Sequence, residues 1–167
     1  MDTEKVLRGK WLLIVDDEQD ILDMLIELLE TCKIDTASTF EEGKKLLETN
    51  PYDLAVLDIM GVKGFDLLEI ANQQKIPALM LTAHGLSEEN LKRSAQEGAA
   101  YYAPKDEITK IDVFVADVLE TLNKKKNVWA RWFDRLGGFY DKKFGGTDWR
   151  EKEKEFWEEK MKSLPDV

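Results

Sequence analysis

Apolar residues fall into two alternating patterns along residues 11–122. One is the short unbroken run: Trp11–Val15 is the first, residues 54–57, 78–81 and 100–103 supply three more, and residues 34–37 form a weaker, mixed fifth. Runs of this length predict strands buried in a sheet. The other pattern is helical. Ile21, Leu22, Leu25, Ile26, Leu28 and Leu29 recur at helical spacing, and helices are also expected over residues 40–48, 65–72 and 111–122. Asn50-Pro51 stops the second of these. Ser87, followed by Glu88 and Glu89, marks the start of another, because a hydroxyl cap and first-turn acids suit the helix dipole. Five strand-helix units in succession predict an α/β fold around a parallel sheet.

Past Lys126 the pattern changes. Val128, Trp129, Trp132, Phe133 and Leu136 share one helical face, and Trp149, Phe156, Trp157, Met161 and Leu164 share another, so two further amphipathic helices are expected. Four of the five tryptophans lie here, along with the pairs Gly137-Gly138 and Gly145-Gly146. The chain therefore reads as one domain over residues 1–126 and a Trp-rich helical tail over 127–167. Its 167 residues leave no room for two full-sized domains.

Composition narrows the function. At 43% apolar and 35% charged, the chain has the material for a core. Its net charge of −10 repels nucleic acid phosphates and anionic lipid, so neither nucleic acid nor membrane is an expected partner. The tail carries 9 basic and 9 acidic residues, which places the whole excess in the first domain. Cys32 is the only cysteine, which rules out an intrachain disulfide or a cysteine zinc site and fits a reducing compartment. Met1-Asp2-Thr3-Glu4 is polar and acidic where a secretion signal is basic and then apolar, and no early run approaches the roughly 20 residues that span a bilayer. A cytoplasmic location is expected.

In an open α/β sheet, ligands bind at the carboxyl ends of the strands. Those positions hold Asp16-Asp17-Glu18, Asp58, Thr82 and Lys105. Two carboxylates about 4 Å apart repel by about 4 kcal/mol at an effective dielectric near 20, so such a cluster calls for a cation. Magnesium suits one or two carboxylates, retained waters and a phosphate oxygen. Lys105 and the ion would neutralise charge on a transferring phosphoryl group, and Asp58 is the natural nucleophile, since a carboxylate can carry the group as an acyl phosphate.

Asp16-Asp17, Asp58, Thr82-Ala83 and Lys105, each after its own strand, resemble the receiver domain of two-component response regulators over about residues 8–123. The resemblance implies a flavodoxin-like, doubly wound, five-stranded parallel sheet of order 2-1-3-4-5 with the tail as a C-terminal helical extension. It further implies that Asp58 accepts phosphate from a histidine kinase or phosphotransfer protein, and that the domain signals through protein contacts to a downstream partner. By the same resemblance Asp17 and Asp58 would ligate Mg2+ directly, Asp16 through water and Met60 through its backbone carbonyl. Thr82 and Lys105 would meet the phosphoryl oxygens, and Tyr102 would be the aromatic switch. The chain departs from the family pattern twice: Gly64 follows Asp58 by six positions without a proline, and Pro104 precedes Lys105 instead of following it.

Competing readings of the same residues remain. Asp16-Asp17-Glu18 alone could be a solvated first helical turn, and Tyr101 and Tyr102 could simply alternate across a strand. His84, the only histidine, has no ligand companion and reads as a surface loop residue. A phosphatase with a strand-end Asp nucleophile, of the haloacid dehalogenase type, would want a second Asp where Met60 stands, so no turnover enzyme is expected beyond self-phosphorylation and autodephosphorylation. A receiver-like module that binds partners without being phosphorylated is the alternative. The tail either packs back to finish the core or forms a dimer or partner surface; its first helix has little reach, and the second, beyond Gly145-Gly146, is expected to be freer.

Overall fold

Strands β1 (Trp11–Val15), β2 (Lys33–Ala37), β3 (Leu54–Asp58), β4 (Ala78–Thr82) and β5 (Tyr101–Pro104) pair in parallel in the order β2-β1-β3-β4-β5. The structure, a computed structural model, describes residues 1–83 and 87–162. The expected doubly wound sheet is therefore present. β3 and β4 are buried along their whole length, as is β1 beyond Trp11, because helices cover both faces; that is why they read as unbroken apolar runs. Edge strand β2, Lys-Ile-Asp-Thr-Ala, is only partly buried and mixed in composition.

The helices are α1 (Thr3–Leu7), α2 (Gln19–Leu28), α3 (Phe40–Thr49), α4 (Gly64–Gln73), α5 (Glu88–Gln96) and α6 (Ile111–Asn123), followed in the tail by α7 (Val128–Lys143), α8 (Asp148–Glu151) and α9 (Lys154–Lys162). Right-handed crossovers put α2 on one face of the sheet and α3 to α5 on the other. Consistent with this, α3 packs beside α4 and α2 beside α6. The Thr39 and Ser87 hydroxyls accept from the backbone N–H groups of Glu42 and Asn90, so side-chain caps start α3 and α5.

Three features depart from expectation. Helix α1 has no counterpart in the apolar pattern, since five residues show no periodicity; Asp2 caps it and it packs on α6. Helix α7 does not stop near Leu136 but runs through Gly137-Gly138 to Lys143. Two interior glycines cost about 1 kcal/mol each in propensity, and tertiary contact overrides that cost: Trp132 and Tyr140, on either side of the pair, are both fully buried.

The third departure corrects the expectation of a free second tail helix. Trp149 and Trp157 are buried, and α9 packs on α7. Lys92 on α5 pairs with Glu153 at 2.9 Å, Lys152 pairs with Glu88, and the Asn127 side chain donates to the Lys160 carbonyl at 2.7 Å. Gly145 and Gly146 both take positive φ, which turns the chain back on itself. Leu164, expected on the same face, lies outside the described residues.

The tail also covers the sheet edge. Strand β5 has one strand neighbour only, and the indole N–H groups of Trp129 and Trp132 donate to the carbonyls of Ala99 (3.1 Å) and Tyr102 (2.7 Å) along it. An open strand edge is a template for pairing with another chain, and this one is sheltered. Tyr101 and Tyr102 are consequently both fully buried. The Tyr101 hydroxyl donates to Asp117 at 2.9 Å, and buried Asp117 also accepts from Arg131 and Arg135 of α7.

Candidate functional site

The carboxyl ends of β1, β3, β4 and β5 deliver Asp16, Asp58, Thr82 and Lys105 to one edge of the sheet. Asp16 follows Val15 directly and is fully buried; Asp58 and Thr82 are the last residues of their strands and are also buried. Lys105 opens a short 3-10 helix (Lys105–Lys110) after β5. Its ammonium lies 2.9 Å from Asp16 Oδ2, 2.9 Å from Glu18 Oε1 and 3.3 Å from Asp58 Oδ1. One cation thus faces three carboxylates from two strand ends.

Electrostatics follow from that imbalance. Burial, and after it the charge of Asp16, pushes the Asp58 carboxyl up to about 7, against the pull of Lys105. Burial also raises Asp16, with the nearby Lys105 ammonium opposing. For Lys105 burial acts downward, but the close carboxylates of Asp16, Glu18 and Asp58 outweigh it and hold the ammonium above its ordinary range. The site therefore carries more negative charge than its one lysine balances.

That imbalance and the donor atoms fit a hard divalent ion. Asp16, Asp17 and Glu18 each offer an oxygen, all within 4.8 Å of one another. Asp16 Oδ1 accepts from the Glu18 N–H at 2.9 Å, whereas Oδ2, although close to the ammonium, takes no hydrogen bond of acceptable angle. A buried acceptor left in that state is what a cation would satisfy. Asp58, expected as a direct ligand, lies outside that triplet and is paired with Lys105. Glu18, absent from the expected ligand set, is inside it.

The loop after β3 also approaches the pocket. Gly61 has φ +72°, and a Cβ there would stand 2.6 Å from the Asp17 carboxylate, so backbone beside Met60 runs against the acidic cluster. The Met60 side chain points outward, 70% exposed, which leaves only its carbonyl as a conceivable ligand. The six-position step from Asp58 to Gly64 is closed by tight turns: Val62 N–H donates to Met60 O at 2.7 Å and Gly64 N–H to Ile59 O at 3.1 Å. A Cβ at Gly64 would overlap the Asp58 carbonyl, so glycine is required there. After Lys105 the chain enters the 3-10 helix through an ordinary trans peptide.

Tyr102 lies next to Thr82. Burial pushes its hydroxyl up to about 12, with Thr82 as a partial offset, yet that hydroxyl makes no hydrogen bond of ordinary geometry. Its ring meets Tyr140 of α7 at 5.6 Å between centroids, and the Tyr140 hydroxyl is likewise unpartnered. Sequence reading placed Glu18 in the strand-end cluster but not as a partner of Lys105, and it missed Gly61, Tyr140 and Asp117. A glycine three residues past Asp58 and an aspartate on the apolar side of the last domain helix were the available signals. His84 lies outside the described residues.

Comparisons with known proteins bear on the family and the fold. The family model described as response regulator receiver domain matches residues 12–116. A heme response regulator, HssR, of Staphylococcus aureus (strain bovine RF122 / ET3-1) is 35% identical over 121 residues, covering 69% of this chain and 54% of that protein. The chain thus spans about half the length of the curated relatives it matches. Among solved structures, a CheY-like response regulator receiver domain protein from Methanospirillum hungatei JF-1 is 31% identical with a TM-score of 0.57, covering 68% of this chain and 98% of that one. A receiver domain protein from Clostridium thermocellum is 26% identical with a TM-score of 0.61, covering 66% and 94%.

Proposed function

The chain belongs to the response regulator receiver domain family, and we propose that it accepts a phosphoryl group on Asp58 from a histidine kinase or phosphotransfer protein. The observation that carries this reading is the placement of the Lys105 ammonium 3.3 Å from Asp58 Oδ1 and 2.9 Å from Asp16 Oδ2, between two buried carboxylates. An Asp58 oxygen attacks phosphorus, the bond from phosphorus to the donor atom breaks, and the donor departs with that electron pair, leaving an acyl phosphate. Lys105, fixed between Asp16, Glu18 and Asp58, is positioned to offset charge that develops on the phosphoryl oxygens. Thr82, at the end of the neighbouring strand, offers a hydroxyl to one of those oxygens.

Asp16, Asp17 and Asp58 with the Met60 carbonyl, and Glu18 beside them, would hold Mg2+, which when bound neutralises negative charge on carboxylates and phosphoryl alike. The product is a signalling state, read by a downstream protein in the cytoplasm through Thr82 and the switch residue Tyr102. A lysine held between two buried strand-end aspartates favours this reading over a binding-only module. Residues 127–167 form an appendage that modulates this domain.

Intact-mass measurement after incubation with acetyl phosphate and magnesium tests the reading. One added phosphoryl group is expected, with none on Asp58→Asn or in EDTA. Equal labelling of Asp58→Asn overturns the assignment.

A further inference from the structure

The strands begin at the end of the sheet opposite Asp58, and there the chain leaves a cleft. It lies between α1, α6 and the residues that lead into β1, β3 and β4, namely Lys10, Asp53 and Pro77, and it encloses about 870 Å3. Small-molecule sites fall in the range of about 300–1,000 Å3. The floor is aliphatic: Val6, Pro77, Leu119 and Leu122 line it, each half-buried. Among the described residues, none that lines it is aromatic.

The charges on its walls do not cancel. Glu120 accepts from Arg131 of α7 at 3.0 Å and Arg8 pairs with Glu4 at 2.7 Å, so both are engaged from outside the lining. That leaves Lys5, Lys10 and Lys124 facing Asp2 and Asp53. Each aspartate already serves the backbone: Asp2 accepts from the Lys5 N–H as the α1 cap, and Asp53 accepts from the Trp11 N–H at 2.8 Å. Among the described residues Lys5 and Lys10 pair with no carboxylate, and Lys124 reaches only Glu120, at 3.8 Å. The end of α6 makes no demand on these lysines, since the carbonyls of Glu120, Thr121 and Leu122 accept from the N–H groups of Lys124, Lys126 and Lys125. In a chain of net charge −10, spare ammonium groups over an aliphatic floor are a local exception.

We propose that this cleft binds a small amphipathic monoanion, an aliphatic carboxylate of medium chain length, with its chain on Val6, Pro77, Leu119 and Leu122 and its carboxylate on Lys5, Lys10 and Lys124. One negative charge matches the excess of one lysine over the two aspartates. A polyphosphate would exceed that excess, and a nucleobase would find no ring to stack on. Because the cleft sits at the far end of the strands from Asp58, it stands or falls independently of the phosphoacceptor reading.

Methyl-resolved NMR of the full chain, titrated with octanoate in the absence of magnesium and acetyl phosphate, tests this. Signals of Val6, Leu119 and Leu122 should shift saturably with a dissociation constant of about 1 mM or tighter, while Leu57 and Leu81 at the other end of the sheet stay in place. Affinity should rise about two- to threefold per methylene from hexanoate to decanoate, part of what full burial would give. The double variant Lys5→Gln/Lys10→Gln, which alters no core side chain, should bind octanoate about tenfold more weakly and octanol as wild type does. Absence of saturable shifts at Val6, Leu119 and Leu122 overturns the site. Equal octanoate affinity in the double variant, or octanol bound by wild type as tightly as octanoate, overturns the role of the lysines. Tighter binding of ATP than of octanoate overturns the monoanion, and shifts with phosphatidylglycerol vesicles but none with octanoate overturn the proposal in favour of a lipid surface.

Discussion

Trp132 donates its indole N–H to the backbone carbonyl of Tyr102 at 2.7 Å, which fastens the tail to the strand that delivers Lys105. Trp132 is fully buried and touches the rings of Trp129, Phe133, Tyr140, Trp149 and Trp157. Trp132→Ala should therefore destabilise the whole chain by about 3–5 kcal/mol in denaturant unfolding. Tyr140→Phe, which deletes a hydroxyl that has no partner, should be neutral or stabilising. A Trp132→Ala protein as stable as wild type would show that the tail contributes no core.

Asp58 is a buried carboxylate held near pKa 7, and this makes stability depend on pH with a definite sign. The folded chain keeps the Asp58 proton more tightly than the unfolded chain, whose carboxylate titrates near about 4, so stability falls as pH rises from about 4 through about 7. Asp58→Asn removes that loss. In EDTA the variant should melt several degrees above wild type at pH 8, and the gap should close toward pH 4. Thermal melts across that window decide the matter.

Magnesium should act in the same direction, since it would relieve the same crowding of carboxylates. At one hundred times its dissociation constant a ligand specific to the folded state adds about 2.7 kcal/mol. Melting temperature should rise with magnesium in wild type, and Asp17→Ala should lose most of the rise. An undiminished shift in Asp17→Ala would exclude Asp17 as a ligand.

Lys105 faces the position where phosphoryl charge would develop. Removing one such group costs about a hundredfold or more in rate in comparable sites. Lys105→Ala should slow phosphorylation by acetyl phosphate on that scale, measured by the time course of the intact mass. A rate within twofold of wild type would remove Lys105 from the chemistry.

The sheet was legible because its inner strands are buried on both faces, so Leu54, Ala55, Val56 and Leu57 carry no polar interruption. The candidate site was legible for a related reason: four of the five strand ends hold or lead into a conspicuous polar residue, Asp16, Asp58, Thr82 or Lys105. What escaped is tertiary. Periodicity shows that α7 and α9 have apolar faces but not that α7 packs on β5 and α9 on α7, and Gly137-Gly138 reads as a break only while Trp132 and Tyr140 have nothing to bury against. The pairing of Glu18 escaped because it depends on where Lys105, many residues later, places its ammonium. Asp117, on the buried side of α6, becomes intelligible only once Arg131 and Arg135 are brought across to it.

The most direct measurement traps the acyl phosphate chemically. Borohydride reduction of an aspartyl phosphate yields homoserine, so wild-type protein treated with acetyl phosphate and magnesium, reduced and sequenced by peptide mass spectrometry, reports the acceptor by position. The account predicts homoserine at position 58 and at no other aspartate. Conversion at Asp16 or Asp17, or no conversion in folded protein with magnesium bound, would contradict it.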